Sequence, residues 1–120
     1  MAETYTLITG ASSGFGSRIA QKLSATRRLI LVGRKAETLE AVRSKCASSE
    51  KHLIWVRDLS RLDGIAEELA ALLASKGASV DHFVHSAGLL TIQYARAIEM
   101  PSVLQLFNVN VFSALEIIKP

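Results

Sequence analysis

The sequence predicts an α/β domain built on a doubly wound parallel sheet with strand order 3-2-1-4. Three observations carry that prediction. Short apolar segments alternate with stretches of helical periodicity four times over. One of them, Leu29-Ile-Leu-Val32, is apolar without interruption, as suits a parallel strand buried on both faces. A glycine-rich turn, Gly10 to Gly16, stands at the first strand-to-helix junction. Right-handed crossovers then restrict the topology. The 120 residues allow one domain, residues 1–120, read as the N-terminal and incomplete part of such a sheet.

Each element follows from local pattern. Tyr5 to Thr9 reads as a short buried strand. Ser17 to Ser24 carries Ile19, Ala20 and Leu23 at helical spacing. After the strand at Leu29–Val32, a second helix is predicted over Ala36 to Ala47, with Leu39 and Val42 inward. His52 to Val56 forms a third strand. From Ser60 to Ser75 the residues Leu62, Ile65, Leu69, Leu72 and Leu73 make one stripe, with Ser60 as cap and Gly77 just past the end. Val80 to Val84 is the fourth strand. A last helix begins near Pro101 and carries Val103, Leu106, Phe107, Asn110, Val111, Ala114 and Ile118 on a broad face.

Composition excludes several classes. Apolar residues make up 49% of the chain, enough for a core. The net charge of +3 is scattered, whereas a nucleic-acid surface needs a denser basic stripe. Uninterrupted apolar runs are too short for a bilayer, and no secretory signal opens the chain. The expectation is a cytoplasmic protein with neither nucleic-acid nor membrane partners. The one cysteine, Cys46, has no internal partner and reads as a passive thiol. His52, His82 and His85 are joined by no carboxylate or cysteine cluster, so no metal site is expected. Trp55 is expected to pack in the core or against a helix.

The glycine turn carries the chemistry. In Thr9-Gly10-Ala11-Ser12-Ser13-Gly14-Phe15-Gly16, Gly10 lets the chain turn sharply out of the strand. Gly14 removes a side chain that would bar a phosphate from the backbone, and Gly16 lets the helix pack closely. Free amides and the helix dipole then favour a pyrophosphate, and Ser12 and Ser13 add hydroxyl donors. The residue that reads the adenosine ribose lies roughly twenty residues on, at the end of the second strand. There the sequence has Gly33-Arg34-Lys35 and no acid. Arg34 can fork onto a phosphate and stack on an adenine, so NADP is expected over NAD.

The spacing TGxxxGxG, from Thr9 to Gly16, resembles the cofactor fingerprint of short-chain dehydrogenases/reductases, and the resemblance extends over essentially the whole chain. It implies a Rossmann domain and further contacts. Gly10, Ser12, Ser13, Gly14, Phe15 and Gly16 would hold the cofactor. Asp58 would accept from the adenine amino group and Leu59 would add a backbone contact, although Asp58 could equally start a turn or cap a helix. His85-Ser86-Ala87-Gly88 stands where the family has Asn-Asn-Ala-Gly. Ser86, Ala87 and Gly88 would lie beside the cofactor, and the missing asparagine bonds must be met otherwise. Asn110, within Phe107-Asn108-Val109-Asn110-Val111-Phe112, matches a catalytic asparagine that perturbs its helix and holds a relay water. Asn108 would face elsewhere.

The family's serine and Tyr-x-x-x-Lys do not occur here, since Tyr94 is followed four residues on by Ile98. Members are longer than this chain. The expectation is therefore a fragment, inactive alone and marginally stable, with its fourth strand an open edge. The complete protein would be an NADP(H)-dependent oxidoreductase acting on a small carbonyl or alcohol, and a homo-oligomer. The other reading is a non-catalytic dinucleotide-binding module or sensor. An epimerase or dehydratase fits less well, because those relatives space the turn as TGxxGxxG. The loop from Leu89 to Met100 could supply one wall of a substrate pocket.

Overall fold

In the computed structural model, residues 3–12, 14–88 and 99–118 are described. The elements are β1 (Glu3–Thr9), α1 (Gly14–Leu23), β2 (Arg28–Gly33), α2 (Ala36–Ser44), β3 (Leu53–Val56), α3 (Ile65–Lys76), β4 (Ala78–His85), α4 (Met100–Phe107), a π-helical turn (Asn108–Phe112) and α5 (Ser113–Ile118). The four strands pair in parallel in the order β3-β2-β1-β4, as the alternation of elements predicts. A shift in register between Tyr5 and Thr6 interrupts the pairing of β1 with β4.

The central strands are buried on both faces, so neighbouring residues enter different cores. Leu7, Ile30, Val32 and Trp55 join Ile65, Leu69 and Ile117 on one side. Ile8, Leu29 and Leu31 join Ala20, Leu39, Val42 and Cys46 on the other. Each fully buried leucine or isoleucine contributes about 1.5–3 kcal/mol relative to exposure, which makes these two layers the main source of stability. Burial pushes the Cys46 thiol up, against a lowering bond to Ser24, in keeping with an inert packing residue. His52 is also structural: its Nδ1 accepts from the Leu29 amide at 3.1 Å and its Nε2 donates to the Ala47 carbonyl at 2.8 Å.

Two helical expectations need correction. The third helix begins at Ile65, not Ser60, and Gly64 rather than Ser60 occupies the cap position. Arg57 is the cause: its guanidinium donates to the carbonyls of Arg61 and Asp63, which holds the chain before Ile65 in an open loop. Leu62 packs on the core from that loop. Gly77 does end the helix, in the left-handed conformation.

The last helix does not present one continuous inward face. The π turn inserts an extra residue into its winding and rotates everything beyond it. Ser113 and Ile117 turn inward, while Phe107, Val111 and Ile118 face outward with Met100, Leu104 and Leu115. By length and composition Met100–Ile118 could cross a membrane, with mean hydropathy 1.3 over 19 residues. Its inner side, however, docks on this domain through Ser113 and Ile117, and Asn108 donates to the Ser60 carbonyl.

Candidate dinucleotide-binding site

A cleft opens at the carboxyl ends of the strands, beside the point where the order reverses between β1 and β4. In open α/β sheets this is where ligands bind. Gly10, Ser12, Arg34, Asp58, Leu59, Ser86, Ala87 and Gly88 all line it, so eight residues singled out in the sequence converge there. Gly14, Phe15 and Gly16 stand at the start of α1 but do not line the cleft, and Phe15 is 81% exposed. Asn110 does not line it either, but its Oδ1 lies behind Gly88. Ser13, Tyr94 and the loop residues 89–98 fall outside the described residues.

The walls are bare where a ligand backbone would have to approach. Gly10 has φ +63°, and a Cβ there would stand 2.7 Å from the Ala87 amide nitrogen. A Cβ on Gly16 would stand 2.0 Å from the Gly10 carbonyl oxygen, so α1 can abut the turn only with glycine at this position. Around Gly14 there is open space. A narrow cleft floored by backbone, with hydroxyls and a guanidinium at its rim, fits a dinucleotide.

The Asp58 wall is a turn. Both the amide and the hydroxyl of Ser60 donate to Asp58 Oδ1, at 3.0 and 2.7 Å. The Ser60 bonds hold the carboxyl below its ordinary range, the guanidinium groups of Arg34 and Arg61 add to this, and partial burial opposes it. So Asp58 does start a turn, and the turn leaves it on the cleft. Arg57, unremarked in the sequence, fixes this wall from behind. Its amide donates to the Gly33 carbonyl at 2.8 Å and its guanidinium bonds Glu68 at 2.8 Å. Glu68 in turn accepts from the Trp55 indole at 2.6 Å.

The missing asparagine bonds are met by a different network. Thr9 Oγ1, at the end of β1, accepts from the amides of Ser86 and Ala87 at 3.0 and 3.1 Å. His85 Nδ1 lies 2.8 Å from the same oxygen. Its Nε2 lies 3.0 Å from the Val109 carbonyl and 3.2 Å from that of Asn110, both in the π turn. With two amides already on Thr9 Oγ1, the hydroxyl proton goes to Nδ1, and a neutral imidazole donates through Nε2–H to the carbonyls. Gly33, Ser60, Gln105 and Val109 also line the cleft. Gly33 and Ser60 stand out in the sequence for other reasons, and nothing in the letters points Gln105 or Val109 to a cleft; a Cβ on Gly33 would meet the Leu39 side chain at 3.0 Å.

Fold and cleft together define a Rossmann-like domain whose binding site lies at the carboxyl ends of a parallel sheet. Residues 4–120 match the family described as short chain dehydrogenase. The chain belongs to the short-chain dehydrogenase/reductase family. It is 32% identical over 83 residues to an NADPH-dependent pterin aldehyde reductase of Arabidopsis thaliana, covering 68% of this chain and 34% of that protein. It superposes on a metagenomic short-chain oxidoreductase in complex with NADP with a TM-score of 0.85 at 27% identity, covering 99% of this chain and 55% of the other. A 3-oxoacyl (acyl-carrier-protein) reductase from Agrobacterium tumefaciens C58 with NADP bound gives a TM-score of 0.83 at 25% identity, covering 98% of this chain and 46% of the other. The chain thus spans about half the length of these structures and about a third of the plant relative.

Proposed function

We propose that the complete protein is an NADP(H)-dependent oxidoreductase that interconverts a small carbonyl compound and its alcohol. The observation that carries this reading is the convergence of Gly10, Ser12, Arg34, Asp58, Ala87 and Gly88 on one cleft at the ends of four parallel strands. The two solved relatives with NADP bound and the NADPH-dependent plant reductase support it.

The amides at the opening of α1 bind the diphosphate, and Ser12 adds a hydroxyl. Arg34 takes the 2′-phosphate, with no acid at the end of β2 to repel it. Asp58 accepts from the adenine amino group, and Leu59 contributes its backbone. Gly10 and Gly88 keep side chains out of the cleft. The bound nicotinamide supplies or accepts a hydride. Asn110 holds a water in the proton relay, and the opening of the helix into a π turn at this residue supports that role. The proton itself is given or taken by a tyrosine outside these 120 residues, so they are inactive alone. The exposed stripe from Met100 to Ile118 supports a homo-oligomer. We place the protein in the cytoplasm.

The test is NADPH consumption by the full chain with a panel of aliphatic and aromatic aldehydes and ketones. Turnover of at least one carbonyl is expected. Binding of NADPH without turnover of any points to a non-catalytic module. Failure to bind either dinucleotide ends the reading.

A further inference from the structure

The π turn stands between the two walls of the cleft and is bonded to both. On one side, Asn108 Nδ2 donates to the Ser60 carbonyl at 2.9 Å, in the turn that carries Asp58. On the other, the Val109 and Asn110 carbonyls accept from His85, whose Nδ1 meets the Thr9 hydroxyl at the end of β1. That hydroxyl holds the amides of Ser86 and Ala87, which precede Gly88 on the cleft. Polar atoms thus run without a gap from the Asp58 turn, through the helix, to the glycine turn. In an α-helix the Val109 carbonyl is taken by an amide four residues on. Here the turn is wide, the Ser113 amide bonds back to Asn108, and the Val109 carbonyl receives the Ser113 hydroxyl and His85 instead.

We propose that His85 and Asn108 are positioning residues that make the π turn a brace, setting the distance between the Asp58 wall and the Gly10–Gly88 wall and holding Asn110 at a fixed height. Neither side chain is required to touch the cofactor. His85 suits the role because its ring offers an acceptor and a donor on opposite sides, a span an asparagine cannot cover. Asn108 suits it because an amide can donate to a carbonyl at a distance where a carboxylate would repel it.

The proposal rests on the dinucleotide reading, and the test keeps the two apart. Two measurements are made on the full chain and on Asn108→Ala, Asn108→Asp, His85→Gln, His85→Leu and the double variant His85→Leu/Asn108→Ala. The first is amide hydrogen exchange without cofactor. Asn108→Ala breaks a bond to the wall opposite Ser86 and Ala87, yet it is expected to speed exchange of those two amides several-fold. The second is NADPH affinity. Each of Asn108→Ala and His85→Leu is expected to weaken binding about tenfold, the scale of one lost buried hydrogen bond. The double variant should be little worse than either, because breaking one end of a brace releases the other. His85→Gln, which keeps a donor near the Nε2 position, should recover most of the loss, and Asn108→Asp should not.

Multiplying effects in the double variant, or Ser86 and Ala87 amides unmoved by Asn108→Ala, would overturn the brace. A parent chain that binds no dinucleotide would overturn the functional reading, while the exchange experiment would still decide the brace. Should His85→Leu fail to fold, Asn108→Ala and His85→Gln carry both measurements.

Discussion

Replacing Arg34 tests the cofactor preference most directly. Its side chain is exposed at the end of β2, lines the cleft, and stands close enough to Asp58 to lower that carboxyl. Among the described residues no carboxylate lies within 4.0 Å of it to form an ion pair. Its charge is therefore available to a phosphate. A hydrogen bond to a charged group contributes about 1.5–3 kcal/mol, or roughly 10- to 150-fold in affinity. Because Arg34 faces solvent, screening places the effect at the lower end. Arg34→Ala should therefore raise the NADPH dissociation constant about tenfold at physiological salt, and more at low salt. It should weaken NADH binding far less, since NADH has no phosphate at that position and loses only the stacking on adenine. Arg34→Asp should go further and favour NADH. The assay is calorimetric titration of both cofactors into the full chain and each variant. No loss would show that Arg34 is an ordinary surface residue, and equal loss for the two cofactors that it contacts a part they share; in either case some other group sets the preference.

Two further outcomes follow from the site. Gly16→Ala forces a methyl to within 2.0 Å of the Gly10 carbonyl, so α1 must move away from the turn. A loss of about 3 kcal/mol is expected, read as a drop in Tm, and a variant as stable as the parent would dismiss the close-packing account. Ser60→Ala removes the larger of the two bonds that depress the Asp58 carboxyl, so its titration, followed by carbon-detected NMR, should move up toward the ordinary carboxylate range. In the parent, a depressed folded value means the Asp58 turn contributes stability above the unfolded value near about pH 3.9 and loses it as pH falls through the folded value. An unmoved Asp58 titration in Ser60→Ala would shift the cause to Arg34 and Arg61.

Much of this was legible in the letters. The sheet order follows from the alternation of elements, Gly10 and Ser12 from the glycine turn, and Arg34 from the end of the second strand, because parallel strands and phosphate turns constrain residue type locally. Asp58, Leu59, Ser86, Ala87 and Gly88 follow only from the family resemblance. What could not be read depended on contacts between distant segments. Nothing near Ser60 announces that Arg57 will take the carbonyls of Arg61 and Asp63 and delay the helix to Ile65. The outward turn of Phe107, Val111 and Ile118 needs the extra residue of the π turn, which no 3.6-residue pattern contains. The departure at His85 could be noticed but not interpreted, since its acceptors lie 24 and 25 residues away.

Trp55 is the single tryptophan of these 120 residues, and its indole proton is bound to Glu68, which also holds the Arg57 guanidinium beside the Asp58 turn. The protein therefore carries its own optical gauge. Indole emission depends on the polarity and hydrogen bonding around the ring. Slackening of the Asp58 turn should thus register as a change in colour or yield from one defined spot, with no label attached and no second indole within these 120 residues.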